Sequence, residues 1–397
     1  MFTSALQGCL GPVYGRFAAW VVAAAAACAA PALAQADVGL STIAATAQDG
    51  PVTLFYPSSA PAQQLQRGPF TMHLAADGAA VRGNGRLVVI SHGSGGSPWV
   101  HADLARMLAE AGFMVALPEH RDDNYRADSR PGPDSWKLRP TEVSRAIDAV
   151  GRDPRFAALV QLDKVGVYGM SAGGHTALSM AGGRWSPGNF KRHCQAHIAE
   201  DFSTCVGLFT QQRGNVFDAV KRSVALAVIG WRFDDDNPQV HTDARIAAVV
   251  AAVPASADFD MASFAIPTAP LALVTAGRDA WLVPRFHSDR VLQACPQCEH
   301  LAHLPNAGHG AYLSPLPPGL TGLVGDLLND PPGFDRQVLQ AVNRKITDFF
   351  RGKLLAALDQ QSPGASAAAR PLELTPLAAL RKDANPGVAR QLSQDRR

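Results

Sequence analysis

A serine between glycines is the residue of this 397-residue chain that is best placed to act as a nucleophile. Gly169-Met170-Ser171-Ala172-Gly173 fits the G-x-S-x-G pattern, in which the serine lies on a sharp strand-to-helix turn. An apolar run over 164–169 precedes it and a helical pattern over 172–180 follows. The start of that helix favours negative charge beside the Ser171 hydroxyl. An ordinary glycine-rich turn is the alternative, but the flanking strand and helix favour a nucleophile.

A second glycine-rich loop could stabilise the negative charge that a serine nucleophile creates. His92-Gly93-Ser94-Gly95-Gly96 follows the apolar run over 87–90, and loops of this kind present a backbone N–H to an oxyanion. We expect the N–H groups of Ser94 and Ala172 to be the two donors, with His92 bracing the loop. A phosphate-binding loop would need G-K-[ST], which is absent, and Pro98 replaces the last glycine of a dinucleotide fingerprint.

A serine nucleophile needs a base, and the base needs an acid to orient it. With an elbow of this type the chain order is serine, acid, histidine. Asp279 follows the apolar run over 271–275, and His309 follows the run over 301–304. Functional groups of a parallel sheet gather at such strand ends. Asp279 and His309 are therefore the expected acid and base, while Asp258 remains an alternative acid.

The elements that must position these residues alternate between strands and helices. Continuous apolar strands between amphipathic helices predict a parallel sheet that is covered on both faces. The predicted strands are 52–56, 70–74, 87–90, 113–117, 164–169, 247–253, 271–275 and 301–304. The predicted helices are 101–111, 141–150, 172–180, 285–293 and 335 to about 358.

Three segments are expected along the chain. Residues 1–34 read as a secretory signal, with a short apolar region and Pro31-Ala32-Leu33-Ala34 before the cleavage point. A lipoprotein anchored through Cys28 is the alternative. Residues 35–358 form the catalytic domain, and residues 183–240 are too long for a plain connection, which predicts a cap insertion. Residues 359–397 are rich in Ala, Pro, Gln and Arg, which predicts a flexible C-terminal tail.

Cysteine usage agrees with an exported protein. Two of the six cysteines, Cys9 and Cys28, precede the predicted cleavage point, which leaves an even number in the mature chain. The plausible disulfides are Cys194–Cys205 and Cys295–Cys298, although spacing does not prove this connectivity. The second pair also fits a redox C-x-x-C motif. It comes late in the chain, at the end of a predicted helix, which favours a structural bridge.

Composition and histidine spacing exclude several other classes of function. Hydrophobic residues make up 47% of the chain and charged residues 18%, which excludes a disordered chain, a collagen and a coiled coil. A net charge of only +2 gives no reason to expect nucleic-acid binding. The pairs His300/His303 and His193/His197 have spacings seen in metal sites but lack the further ligands. We therefore expect no metal.

Taken together, these motifs resemble those of the α/β-hydrolase superfamily, in its branch of platelet-activating-factor acetylhydrolase-like and dienelactone-hydrolase-like proteins. The resemblance extends over about 52–350. It is carried by the two glycine-rich loops already described, by the GRDAWLVP and NAGHG segments around Asp279 and His309, by 118–125 and by Arg139-Pro140. It implies an α/β-hydrolase fold. Dienelactone hydrolases use cysteine where this chain has Ser171, and acetylhydrolase-like relatives can take their acid from the earlier strand, where Asp258 lies.

The function expected from the sequence is that of an exported, periplasmic or secreted, serine hydrolase of carboxylic esters. It would act through Ser171, His309 and Asp279 with an acyl-enzyme intermediate and without a cofactor. The partner would be a small-molecule or polymeric ester, with no nucleic acid and no transmembrane segment. An amidase or peptidase using the same triad, or a non-catalytic binding protein on this scaffold, is the alternative. Substrate identity and oligomeric state stay open.

Overall fold

A computed structural model describes residues 36–356 of the chain. Within this range a large sheet of ten strands crosses the molecule, and a small sheet of two strands lies apart from it. The strands are β1 (Asp37–Ile43), β2 (Val52–Ser58), β3 (Gln63–Arg67), β4 (Phe70–Ala76), β5 (Leu87–Ser91), β6 (Met114–Pro118), β7 (Val165–Met170), β8 (Arg184–Trp185), β9 (Ile246–Ala252), β10 (Phe259–Asp260), β11 (Leu271–Ala276) and β12 (Glu299–Leu304).

The large sheet is mostly parallel. Its order is β12-β11-β9-β7-β5-β6-β2-β1-β4-β3. The six strands from β12 to β6 run parallel to one another. Strand β2 is antiparallel to both β6 and β1. The carboxyl ends of the six parallel strands therefore lie along one edge, which is where open α/β sheets bind ligands.

Helices cover both faces of this sheet, because the central strands are buried on both sides and alternate with amphipathic segments. In the described residues the helices are α1 (Ala102–Glu110), α2 (Pro133–Trp136), α3 (Arg139–Arg152), α4 (Ala172–Met180), α5 (Pro187–His197), α6 (Phe202–Val206), α7 (Phe217–Arg232), α8 (Ser288–Ala294), α9 (Gly322–Leu328) and α10 (Val338–Leu355).

Two apolar cores lie on the opposite faces of the sheet. Helices α3, α4 and α8 and the segment after α4 pack on one face, and α1 and α10 pack on the other. Alternate residues of each central strand enter the two cores: Val167 of β7 enters the first, and Tyr168 enters the second. This two-sided burial holds the strand ends, and the loops that follow them, in fixed positions.

The observed architecture confirms the predicted α/β fold. Each of the eight predicted strands is present within a few residues of its expected bounds. The sequence does not predict strands β1 and β3, nor the two short strands β8 and β10 of the small sheet. The helix predicted over 285–293 was placed too early, because a short 3-10 turn over Pro284–Phe286 precedes α8, and α10 is shorter at both ends than predicted. The predicted cap insertion contains α5, α6 and α7, whose helical pattern sequence analysis did not identify.

The predicted signal segment over 1–34 and the predicted tail over 359–397 lie outside the described residues. None of the helices between residues 36 and 356 has the length and apolar character needed to cross a membrane. The division into signal, catalytic domain and tail therefore stays a prediction.

Candidate active site

Ser171 lies at the corner between β7 and α4, in a strained backbone conformation. Its φ is 60° and its ψ is −119°, a combination that residues other than glycine rarely adopt. The corner is closed tightly: a Cβ at Gly169 would lie 1.8 Å from the Gly173 oxygen, and one at Gly173 would lie 1.9 Å from the Ser91 oxygen. These two positions require glycine, which explains the spacing on either side of Ser171.

His309 and Asp279 complete a chain of hydrogen bonds to Ser171. The Nε2 atom of His309 lies 2.9 Å from Ser171 Oγ. Its Nδ1 atom lies 2.7 Å from Asp279 Oδ2. His309 and Asp279 are buried, so this chain of polar contacts is shielded from water along most of its length. The structure thus brings together the three residues that the sequence nominated from distant parts of the chain.

The loop after β11 fixes the carboxylate of Asp279. Its Oδ1 atom accepts hydrogen bonds from the backbone N–H groups of Trp281, at 2.9 Å, and Leu282, at 2.8 Å. Oδ2 therefore remains free to face the His309 ring. The Trp281 ring lies beside that imidazole, with 5.1 Å between the ring centroids. Trp281 is thus a wall of the site as well as part of the acid loop.

Asp258 lies elsewhere and contacts a different histidine. Its Oδ2 atom is 3.0 Å from Nε2 of His175, which lies one helical turn after Ser171 on α4. Both side chains are fully buried, and the His175 ring stacks on Trp136, with 4.5 Å between the centroids. The sequence left Asp258 open as an alternative acid, and in the structure it is engaged with His175 and does not contact His309.

The loop from His92 to Gly96 lies against Ser171. A Cβ built on Gly93 would be 3.4 Å from the Ser171 Cβ. Across residues 36–356, the backbone N–H groups of Ser94 and Ala172 donate to no protein acceptor. Two free donors near a nucleophilic hydroxyl are what an oxyanion hole requires.

A buried ion pair, which sequence analysis missed, supports this loop from behind. Asp123 accepts hydrogen bonds from Ser94 Oγ, at 2.6 Å, and from the Gly95 N–H, at 2.9 Å. Arg139 donates through Nη2 to the other carboxylate oxygen at 2.7 Å and through Nη1 to the His92 carbonyl at 2.6 Å. Both side chains have no exposed surface. Burial alone would raise the pKa of Asp123, but the Arg139 charge and the bonds from Ser94 and Gly95 hold that pKa well below its usual value.

Two neutral histidines form a second layer beneath the loop. The Nε2 atom of His92 accepts from the His120 backbone N–H at 3.2 Å, so its Nδ1 donates to the Gly93 carbonyl at 2.7 Å. His120 contacts Glu142 through Nδ1, at 2.6 Å, and Ser91 through Nε2, at 2.7 Å. Burial lowers the pKa of both histidines, and the neighbouring positive charge of Arg139 lowers them further. His92 therefore has the bracing position that was expected of it.

The four cysteines among residues 36–356 form the two pairs considered from the sequence. Cys194 and Cys205 are bonded across the α5–α6 turn, and Cys295 and Cys298 are bonded after α8. No group of three or more metal-ligating side chains occurs in the part of the chain that the structure describes. His193, which belongs to one of the two histidine pairs with metal-site spacing, contacts Asp201 at 2.8 Å.

A family model described as platelet-activating factor acetylhydrolase, isoform II, matches residues 75–128, the stretch that holds the His92–Gly96 loop and Asp123. The chain is similar to these acetylhydrolases. That match supports the expected resemblance to the acetylhydrolase-like branch over this short segment, and the mostly parallel sheet covered by helices fits the α/β fold of that family. The resemblance to acetylhydrolases indicates a hydrolase. A search of the curated proteins gives no match to the chain.

Proposed function

We propose that the chain is an exported serine hydrolase that cleaves carboxylic esters. The observation that carries the proposal is the contact chain from Ser171 Oγ to His309 Nε2, at 2.9 Å, and from His309 Nδ1 to Asp279 Oδ2, at 2.7 Å. A nucleophile, a base within hydrogen-bond reach and an orienting acid are the three parts that acyl transfer by a serine needs.

In the acylation half of the reaction, Ser171 Oγ attacks the ester carbonyl carbon while its proton passes to His309 Nε2. The carbonyl π electrons move to the oxygen, which the N–H groups of Ser94 and Ala172 stabilise as an oxyanion. Collapse of this intermediate breaks the bond to the alcohol oxygen, which takes the proton from His309. The products are an acyl ester on Ser171 and a free alcohol.

Deacylation repeats these steps with water. His309 accepts a proton from a water molecule that attacks the acyl carbon. When the second oxyanion collapses, the bond from the acyl carbon to Ser171 Oγ breaks and His309 returns its proton to Oγ, which releases the carboxylic acid and restores the Ser171 hydroxyl. Asp279 keeps the Nδ1–H of His309 directed towards itself, so Nε2 is available as a base, and its negative charge stabilises the imidazolium. Each residue thus returns to its starting protonation state.

Export is supported by the cysteine pairing and by the N-terminal pattern. Cys194–Cys205 and Cys295–Cys298 lie at bonding distance in the described residues. Disulfides persist in oxidising compartments and are rare in the cytosol. The Pro31–Ala34 motif supplies a cleavage site. We therefore place the mature protein in the periplasm or outside the cell.

The test compares purified wild-type protein with Ser171→Ala on p-nitrophenyl esters of increasing acyl length and on the matching anilides. We expect turnover of at least the short esters, slower or no turnover of anilides, and a loss of several orders of magnitude in Ser171→Ala. Ser179→Ala is the matched control, since Ser179 lies on the same helix α4 and bonds only to the His175 carbonyl. Equal rates for wild type and Ser171→Ala would refute the proposal.

A further inference from the structure

Helix α7 of the cap insertion packs Ala225, Leu226 and Ile229 against the core, and it also turns a second apolar side towards solvent. Six side chains along it and just before it are each at least half exposed, at spacings of one, three or four residues that place them on one face of the helix. We call this face the outer stripe, and its members are Val216, Phe217, Val220, Val224, Val228 and Trp231. Scattered exposed apolar residues are ordinary, but a contiguous apolar face marks an interaction site.

The charged residues of α7 are directed away from this stripe. Asp218 is buried and accepts hydrogen bonds from the backbone of the preceding turn and from Lys221 Nζ, at 3.0 Å. Lys221 also donates to the Gln211 carbonyl at 2.7 Å, and Arg222 donates to the Gln212 side chain at 2.8 Å. The outward face of a surface helix is ordinarily polar in a free-standing globular protein, whereas the outward face of α7 is apolar.

The two ends of α7 are tied to the two sides of the candidate active site. At its start, Gln211, which binds Lys221, also donates to Asp326 of α9, and α9 packs against the short turn that carries His309. At its end, Arg232 pairs with Asp134 of α2. The neighbouring α2 residue Ser135 accepts a hydrogen bond from Arg139, which holds the His92–Gly96 loop. Helix α7 thus connects the histidine side of the site with the oxyanion side.

We propose that the outer stripe docks the protein onto the surface of a water-insoluble, uncharged carboxylic ester, and so brings the triad to its substrate. This inference rests on the proposed function and names the substrate class for that same site. A surface that meets the stripe is delivered to the rim of the site, because the helix bridges both sides of that rim.

The charge distribution selects this occupant over a phospholipid membrane. Helices that lie on membranes carry Lys and Arg where they can reach the headgroups, in addition to an apolar face. In α7 the Lys221 and Arg222 cations are engaged with the loop before the helix. The third cation of the helix, Arg232, pairs with Asp134, and none of the six stripe positions is charged. A droplet of neutral ester has no headgroup layer, so an uncharged apolar stripe matches it. A second copy of the chain would cover the same rim that the substrate must reach.

The test uses emulsified tributyrin as the insoluble ester and p-nitrophenyl acetate as the dissolved one. Val220→Ser/Val224→Ser and Trp231→Ser remove parts of the stripe. We expect the ratio of the emulsion rate to the dissolved-ester rate to fall at least about tenfold in each, which corresponds to ~1.4 kcal/mol of docking free energy. Ile266→Ser is the matched control, because Ile266 is 83% exposed but precedes β11, at the opposite edge of the sheet from the site. It should keep the wild-type ratio.

Co-flotation of Ser171→Ala protein with tributyrin droplets gives a readout that does not need activity, and it separates failure of docking from failure of the proposed chemistry. Flotation that is lost when Trp231→Ser is added supports the proposal. Three results would overturn it: equal flotation with and without the stripe, binding to phosphatidylcholine vesicles that equals or exceeds binding to droplets, or a wild-type dimer in light scattering that becomes a monomer in Val220→Ser/Val224→Ser.

Discussion

Replacing Asp123 by asparagine should damage both the stability of the protein and the His92–Gly96 loop, which we propose contributes to the oxyanion hole. The carboxylate joins Ser94 Oγ and the Gly95 N–H through one oxygen and Arg139 through the other. An asparagine side chain of the same shape offers only one acceptor oxygen. Either its NH₂ group faces the Arg139 guanidinium, or it faces the two donors of the loop, so one side of this buried network loses its partner.

The complete burial of the Asp123–Arg139 ion pair determines how large the loss of stability should be. Removing one partner of a fully buried ion pair costs about 3–5 kcal/mol, because the remaining charge stays buried without compensation. If the Ser94 N–H moves out of place as well, kcat should fall by about 10²–10³-fold, as for other lost oxyanion donors. Asp122→Asn is the matched control. Asp122 lies next in the chain on the surface, with Arg121 and Arg130 at 3.9 and 3.6 Å, and exposed pairs of this kind contribute about 0–1 kcal/mol.

The lowered pKa of Asp123 also determines in which direction the effect of the substitution on stability changes with pH. The pKa of Asp123 is lowered in the folded protein, although burial opposes this, because the Arg139 charge and the loop donors favour the carboxylate. The unfolded chain has an ordinary aspartate pKa of about 3.9. The stabilisation is therefore complete above that pH and is lost as the pH falls below it towards the lower folded-state pKa. The difference in unfolding free energy between wild type and Asp123→Asn should therefore become smaller as the pH is lowered.

Urea unfolding at pH 7 and at two or three values below pH 4, together with kcat for a dissolved ester at pH 7, measures both effects. The reasoning predicts a large loss of unfolding free energy at pH 7, a smaller difference in acid, and a kcat loss in Asp123→Asn that Asp122→Asn does not share. If Asp123→Asn matches Asp122→Asn in stability and in kcat, the ion pair does not hold the loop, and this part of the account is wrong.

Three further predictions follow from the same geometry. Asp279→Asn should lower kcat by up to about 10⁴-fold, as removal of the orienting charge does in other triads. Asp258→Asn should lower the melting temperature with a far smaller effect on kcat. Steady-state kinetics and thermal unfolding of both variants test which aspartate acts with His309. Ser171→Gly should be more stable than Ser171→Ala by about 1–3 kcal/mol, because glycine relieves the strained backbone, and calorimetry of these two inactive proteins checks it. The double variant Cys194→Ser/Cys205→Ser should lose about 2–4 kcal/mol of unfolding free energy in denaturant titrations, whereas an unchanged value would show that the cap needs no crosslink.

Much of the candidate site could be predicted from the sequence, because each part of it is encoded locally. The elbow around Ser171 needs glycines at fixed positions, and their spacing is visible without a structure. Asp279 and His309 follow apolar strands, so their position at the edge of the sheet follows from the topology alone. Their roles stay predictions until activity is measured.

The sequence favours Asp279 as the acid but leaves Asp258 open as an alternative, since each follows a buried strand. It depends on His175, which lies one turn into α4 and contacts Asp258 within an aromatic cluster. A histidine on an apolar helix face gives no sign of this contact. In the same way, Asp123 lies within a polar stretch of the sequence and Arg139 lies just after it. From the sequence both look like charged residues on the surface, although both side chains are completely buried.

The sequence also does not show which face of helix α7 in the cap insertion is exposed to solvent. The apolar spacing in α7 is the pattern of a helix that packs on a core, and periodicity alone does not tell which face meets protein and which meets solvent. The structure decides this through Asp218, which is buried, and Trp231, which is 84% exposed.

The most direct test of the central claim is labelling with a fluorophosphonate, which reacts with activated serines, followed by intact-mass and peptide mass spectrometry. The account predicts a single adduct on Ser171, no adduct in Ser171→Ala, and much slower labelling in His309→Ala, because the hydroxyl needs its base. Labelling at another serine, or labelling of wild type that is no faster than that of His309→Ala, would contradict it.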